Sequence, residues 1–218
     1  RMVAIAWRGK VKSTNSFRCK TITEAQYHLQ RLCKQGYRQD VQAGEFAGES
    51  TYRMQAYPLH VIIEEPLNFF DLPRDTTEAS LQKYYFELLN PYVTDNASYT
   101  YGERIHPQLT PVMDMLRDTP GTNQAYVTVG SPSDFLLKHK PCLQFFQFLL
   151  FEGKLNMITM FRSNDIGSAF ITNQGGLALL LRTVAEYAGL EHGEYHYYGP
   201  APHVYTDGQT EYAAIVAV

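Results

Sequence analysis

Hydrophobic residues in the first half of the chain follow helical spacing in some segments and extended patterns in others. The segment TITE at 21–24 is a helix capping box. The apolar residues after it recur at helical spacing as far as Gly36, which predicts a helix with these side chains inward: Ala25, Leu29, Leu32 and Cys33. Beyond this helix we predict an extended segment and two more helices, at 52–63, 76–90 and 107–117.

The second half of the chain is rich in strand patterns around one long helix. We predict strands at 124–130, 142–151 and 154–163, with Glu152-Gly153 as a hairpin turn between the last two. Apolar residues at helical spacing then predict a long core helix that ends at Gly189, with these side chains inward: Leu177, Leu180, Leu181, Val184 and Tyr187. Its Gly175-Gly176 pair indicates close packing or a close ligand. Two further strand-like segments follow at 194–205 and 211–218. The pattern predicts an α+β fold.

Composition restricts the class of protein further. The 218 residues are 44% hydrophobic and carry a formal net charge of -3, with no repeat or linker, which predicts a single domain over 1–218. No basic block suits nucleic acid, and no apolar run approaches the roughly 18 residues of a membrane span. The three cysteines form no recognised metal-ligand spacing, so neither a disulfide framework nor a metal site is expected. A reducing, cytoplasmic compartment fits best.

Several motifs occur in one order in the second half of the chain. Pro141-Cys142 precedes the strand hairpin, RSND at 162–165 follows it, and TNQGGLALL then opens the long helix before His203-Val-Tyr205. This order resembles the core of thymidylate synthase over roughly residues 100 to 206, and the short archaeal-type members most of all. The resemblance implies a mixed sheet packed with helices, one long core helix near 172–188, and a homodimer.

The resemblance also implies a covalent mechanism. Carbon 5 of uracil is a poor nucleophile, so enzymes of this family add a cysteine thiolate to carbon 6 to activate it. Cys142 matches that nucleophile, with a buried structural thiol as the alternative. Arg162 matches the arginine that lies beside the thiol and binds the nucleotide phosphate. The one-carbon donor is 5,10-methylenetetrahydrofolate, and Asp165 matches the aspartate that holds its pterin ring.

Further matches concern the nucleotide. Asn173 matches the asparagine that pairs with O4 and N3-H of uracil, although a helix N-cap is an equally ordinary role for asparagine. Glu65 aligns best with the family's general base, with a solvated strand end as the alternative. The other candidates for binding the nucleotide phosphate, sugar or site wall are Arg53, Tyr101, Ser163, His203 and Tyr205.

Three functions remain open at this point. The resemblance favours folate-dependent C5 methylation of a uridylate, of the type that converts dUMP to dTMP. The first alternative is a pyrimidine nucleotide 5-hydroxymethylase, in which water replaces hydride in the last step. The second is a nucleotide-binding homologue without turnover.

Overall fold

The protein is described here from a computed structural model that covers residues 16–40, 52–93 and 99–205. Its strands and helices follow one another in a mixed order, with most strands in the second half. In chain order they are β1 (Ser16–Cys19), α1 (Ile22–Lys34), β2 (Tyr37–Asp40), β3 (Tyr52–Gln55), β4 (Leu59–Ile63), α2 (Glu78–Leu89), α3 (Tyr101–Asp118), β5 (Tyr126–Thr128), β6 (Leu143–Phe151), β7 (Lys154–Phe161), β8 (Asn164–Asp165), α4 (Phe170–Ala188), β9 (Glu191–Gly199) and β10 (Pro202–Tyr205).

The strands form two sheets. The larger has six strands in the order β1-β4-β9-β7-β6-β5, and the smaller has four in the order β2-β3-β10-β8. In the larger sheet β6 and β7 are an antiparallel hairpin, whereas β7 and β9 are parallel. Glu152 and Gly153 turn the hairpin with positive φ angles of 54° and 77°, as the sequence predicts. The mixed sheet with helices confirms the predicted α+β class.

The long helix α4 lies at the centre of the core. Its apolar residues Leu177, Leu180, Leu181 and Val184 are fully buried. Side chains at Gly175 and Gly176 would collide with Leu81 and Tyr84, so these glycines let α2 pack closely against α4. The helix ends at Gly189, which has the left-handed φ of 69°. The prediction of a long core helix is confirmed.

The six-stranded sheet has one face packed on the helices and one that no described helix covers. The packed face is fully buried and carries Phe146, Phe148, Met157, Tyr195 and Tyr197. Residues that alternate with these point to the other face, which we call the outer face, and are only half-buried or exposed. They include Phe145, Leu149, Ile158, Met160 and Tyr198.

Three predicted segments differ from the structure in their limits or continuity. The segment at 194–205 divides into β9 and β10, which join different sheets. The helix predicted at 107–117 begins six residues earlier, because Thr100 accepts a hydrogen bond from the Glu103 N–H and caps it there. Both Pro107 and Pro111 lie inside this helix. The extended segment at 52–63 divides into β3 and β4, which join different sheets.

Two side chains predicted to face the core are instead partly exposed. Leu32 is 36% exposed. Tyr187 is 43% exposed because its hydroxyl donates a hydrogen bond to Asp114 on α3, 2.6 Å away. The strand predicted at 211–218 lies outside the described residues. Among the helices of the described part, none is long and apolar enough to cross a membrane.

Candidate active site

Cys142 lies directly before β6, at the end of the larger sheet remote from the 152–153 turn. The backbone N–H groups of Cys142 and Leu143 both donate to the Tyr101 hydroxyl, at 3.2 and 3.3 Å. Tyr101 is the first residue of α3, so one phenol joins the start of a helix to the start of a strand. Cys142 is half-buried, whereas Cys19 and Cys33 are buried in the core. Its environment therefore differs from that of a structural thiol.

Arg162 follows β7 and lies beside the thiol-bearing turn. Its backbone N–H donates to the Cys142 carbonyl oxygen at 2.8 Å. Its guanidinium donates to the carbonyl oxygens of Pro141 at 2.9 Å and Lys140 at 2.7 Å. Burial raises the pKa of the Cys142 thiol, and the positive charge of Arg162 opposes that rise. The Arg162 side chain is exposed, so some of its guanidinium N–H groups remain available to an anion.

We expect Arg162→Ala to move the pH profile of Cys142 alkylation toward higher pH. The charge that favours the thiolate is then lost, whereas the burial that disfavours it remains. The rate of iodoacetamide labelling at Cys142, followed by peptide mass spectrometry from neutral to alkaline pH, measures the shift. Arg117→Ala, which removes an arginine on α3, is the matched control. An unchanged profile in Arg162→Ala would show that this charge does not act on the thiol.

A second group of candidates lies on β8 and β10 of the smaller sheet. The Ser163 hydroxyl is 3.4 Å from Nδ1 of His203, which also lies 3.1 Å from the Ala201 carbonyl oxygen. Burial lowers the pKa of His203; the positive charges of Arg53 and Arg162 act in the same direction, and the Asp165 carboxylate opposes them. The structure thus brings these side chains within electrostatic reach of one another.

Arg53 and Tyr205 lie opposite each other on the antiparallel strands β3 and β10. The Tyr205 ring packs edge-on against His203 with 5.0 Å between ring centroids. The Nε atom of Arg53 is buried and has no hydrogen-bond partner among the described residues. A buried donor without a hydrogen-bond partner destabilises the folded state by about 1 to 3 kcal/mol, and by more when the group is charged. An anionic ligand would relieve that cost.

The carboxylate of Asp165 is held in place by the turn that leads into α4. One oxygen accepts the Gly167 N–H at 2.9 Å, and the other accepts the Ser168 hydroxyl at 2.5 Å. Each carboxylate oxygen can accept a further hydrogen bond. Asp165 is therefore oriented before a ligand arrives, with acceptor capacity remaining.

Asn173 lies inside the first turn of α4. The helix begins at Phe170, and the Asn173 N–H already donates to the Ala169 carbonyl oxygen at 2.9 Å, so the N-cap alternative is wrong. Burial raises the pKa of the neighbouring Tyr84 phenol, and the Asn173 side chain acts in the opposite direction. The buried Tyr84 hydroxyl forms no hydrogen bond of normal geometry within the described residues. The Asn173 side chain therefore lies beside a buried Tyr84 hydroxyl that has spare hydrogen-bonding capacity.

Glu65 is not brought to the other candidates, which corrects its assignment as the general base. It follows β4, whose last residue Ile63 pairs with Tyr195, which in turn pairs with Met157. From Met157 to Arg162 is five residues of extended chain, about 16 Å. Glu65 lies instead near the 152–153 turn, where it accepts a hydrogen bond from Asn68 and pairs with Lys20. Those partners hold its pKa below the usual value.

Glu87 is a carboxylate that acts on the Tyr84 phenol and that the sequence analysis did not name. It lies in the last turn of α2, where the start of α3 packs so closely that a side chain at Gly102 would collide with the Glu87 carbonyl oxygen. Tyr101, which binds the Cys142 backbone, is the next residue. The signal was present in the sequence, because an acidic residue is unfavourable at a helix C-terminus and its presence there suggests a function.

Comparisons with known proteins identify the family and the fold of this chain. A family model described as thymidylate synthase matches residues 24–216. A protein named "Putative thymidylate synthase" from Methanosarcina barkeri (strain Fusaro) is 32% identical over 157 residues, which are 67% of this chain and 71% of that protein. A protein of the same name from Methanosarcina acetivorans is 33% identical over the same shares. The crystal structure of thymidylate synthase from T4 phage superimposes with a TM-score of 0.71 at 16% identity, covering 89% of this chain and 80% of that one.

Proposed function

This chain belongs to the thymidylate synthase family, and we propose that it catalyses the folate-dependent C5 methylation of a uridylate. The family and the fold make it an enzyme of the one-carbon transferase type. The observation that carries the specific proposal is the half-buried Cys142 between two oriented groups, the Tyr101 hydroxyl and the Arg162 guanidinium.

Cys142 acts as the nucleophile. Its thiolate forms a bond to carbon 6 of the uracil ring, and the electron pair of the 5,6 double bond moves toward O4 as an enolate. Arg162 favours the thiolate by its charge, and the Tyr101 hydroxyl holds the backbone of the attacking residue. The activated carbon 5 then becomes the nucleophile that accepts the one-carbon unit. Elimination later breaks the bond from sulfur to carbon 6 and restores the thiolate.

Carbon 5 must lose its proton before that elimination, so a general base is required. We assign this role to Glu87, because its side chain is exposed and its charge acts on the Tyr84 phenol. Its backbone carbonyl oxygen approaches Gly102, the residue after Tyr101. Asn173 offers the uracil edge both a donor and an acceptor, to N3-H and O4. Tyr84, with its unpaired hydroxyl beside Asn173, completes the polar wall.

The residues at the start of α4 fit 5,10-methylenetetrahydrofolate. Asp165 provides an oriented carboxylate with spare acceptor capacity, which suits the N–H donors along one edge of a pterin ring. When bound, the folate supplies the one-carbon unit and the hydride that reduces it. The Gly167 N–H and the Ser168 hydroxyl orient the carboxylate that would hold it.

The nucleotide phosphate and sugar are assigned to the smaller sheet and its junction with β7. Arg162 and Arg53 supply the charge for phosphate, since one is exposed and the other carries an unpaired buried Nε. Ser163 adds a hydroxyl donor beside them. His203 and Tyr205, packed edge to face, bind the sugar hydroxyl.

We expect Asn173→Asp to lower activity on uridylate and to raise the relative binding of cytidylate. A carboxylate cannot donate to O4 but can accept from the amino group of cytosine, so one buried hydrogen bond is exchanged, worth about 1 to 3 kcal/mol. Competition binding of the two nucleotides measures the change. Asn123→Asp, at an exposed position before β5, is the control for the added charge. An unchanged preference would remove Asn173 from base recognition.

A second function, 5-hydroxymethylation, is supported by the polar and small residues around the start of α4. Ser168 is exposed, and Ala169 and Thr172 are only half-buried, so water has access to this side. Release of tritium from carbon 5 of labelled uridylate tests both enzymatic functions. The mass of the product then separates a methyl from a hydroxymethyl group, and no release with intact binding would indicate a nucleotide-binding protein without turnover.

We also propose that the enzyme is a homodimer that associates through the outer face of the larger sheet. That face presents half-buried Phe145, Leu149, Ile158 and Met160, which a second copy would remove from water. Light scattering during gel filtration measures the mass in solution. All three cysteines are free, which suits a reducing compartment such as the cytoplasm.

A further inference from the structure

Three potential metal ligands lie together at the junction of β1 and α1, away from the candidate active site. They are Cys19, the last residue of β1, and Glu24 and His28 on α1. One ligand atom from each lies within 4.8 Å of the others. We propose that this group binds a divalent transition metal of the zinc type.

The local fold brings these side chains together for simple reasons. Thr21 caps α1 directly after the strand, and residues four apart on a helix lie on the same face, so Glu24 and His28 lie side by side. One oxygen of Glu24 accepts the Lys20 N–H at 2.6 Å, which fixes the carboxylate and leaves its other oxygen for a metal. The His28 ring packs against Phe17 with 5.8 Å between centroids.

The ligand types are those that zinc prefers. Thiolate, imidazole and carboxylate bind Zn²⁺ at about 2.0 to 2.3 Å, and three protein ligands with one water is a common arrangement. Ligand atoms around such an ion lie about 3.3 to 3.8 Å apart, so small rotations of Glu24 and His28 would close the site. Glu24 is exposed and His28 half-buried, so both have room to rotate. Thiolate and carboxylate together balance the charge of the ion.

The carboxylates of Glu24 and Glu64 act on the Cys19 thiol, and Arg18 pairs with Glu64. Burial raises the pKa of the Cys19 thiol to about 12, and the carboxylates of Glu24 and Glu64 raise it as well. Without metal the thiol is therefore protonated at neutral pH, and metal binding must displace its proton. Arg31 lies 3.3 Å from Nδ1 of His28, but it is exposed and able to leave this contact.

Titration of the full chain with Co²⁺ tests this site. We expect the near-ultraviolet charge-transfer absorption of a cobalt thiolate to saturate at one ion per chain and to disappear when Zn²⁺ is added. Cys19→Ser should abolish the band, and His28→Ala, at a more exposed position, should weaken binding at least about tenfold.

The thiol at the candidate active site must be distinguished from Cys19. Cys142→Ala, which leaves β1 and α1 intact, is the matched control and should retain the full band. Circular dichroism establishes that each variant is folded. The proposal is overturned if the wild-type chain gives no thiolate band, or if the band survives Cys19→Ser. None of these measurements depends on nucleotide turnover.

Discussion

Cys142→Ala is expected to lower uridylate turnover by on the order of 10⁴-fold or more while leaving the protein folded and able to bind nucleotide. The methyl side chain of alanine cannot form the bond to carbon 6, and no other described thiol can replace it because Cys19 and Cys33 are buried. The backbone contacts of residue 142 to Tyr101 and Arg162 do not involve its side chain, so the surrounding turn should persist. Tritium release from carbon 5 measures turnover, and isothermal titration measures binding.

A trapping experiment distinguishes a nucleophile from a residue needed only for structure. The 5-fluoro analogue of the nucleotide, incubated with the folate, should leave a covalent adduct on Cys142, because fluorine cannot depart as a cation. Intact-protein mass spectrometry would detect the adduct in the wild-type chain and in Cys19→Ser, the control for a thiol outside the site. An adduct that also forms on Cys142→Ala would remove the nucleophile assignment.

Glu87→Gln is expected to lower turnover by about 10² to 10⁴-fold, the usual contribution of a general base. The amide keeps the size of the side chain but cannot accept the proton from carbon 5 at neutral pH. Glu65→Gln is the matched control, since it makes the same chemical change at the other end of the sheet. We expect that variant to keep nearly full activity and to lose only its contacts with Asn68 and Lys20.

The two variants together decide where the base lies. Their kcat values should differ by at least about tenfold, with nucleotide binding preserved in both. If Glu65→Gln were inactive and Glu87→Gln active, the assignment of the general base to Glu87 would be wrong. If both remained active, the proton would leave carbon 5 by way of a residue other than these two.

Elements with a regular period were predictable from the sequence. The hairpin of β6 and β7 alternates and turns at Glu152-Gly153, and α4 repeats its leucines until Gly189. Both are confirmed because local pattern and tertiary packing agree. The start of α3 was predicted too late, since two internal prolines suggested a boundary that the Thr100 cap overrides. The division of residues 52–63 between two sheets could not be predicted from the local sequence, because the partner strands of β3 and β4 include β10 and β9, which lie far away in sequence.

The candidate site also contains residues that sequence motifs identify and residues that only the structure brings forward. Cys142, Arg162 and Asn173 lie in recognisable motifs, and the family to which these point is confirmed. Their individual roles remain predictions. Glu65 was chosen because it aligned best with the family's glutamate, yet the direction of β4 places it near the 152–153 turn, at the end of the sheet remote from Cys142. The contacts that select Glu87 join α2 to α3, which only the tertiary structure reveals.

The order in which the chain is made has a consequence for this site. Cys142 meets Arg162 within one hairpin, but Tyr101 reaches it across 41 residues, and Ser163 reaches His203 across 40. Contacts between distant residues form late in folding. Because β10 supplies His203, a ribosome must synthesise the chain through residue 205 before the site can close. Until then the nascent polypeptide carries Cys142 but lacks β10 and therefore His203. We expect it to bind nucleotide only after β10 has been synthesised.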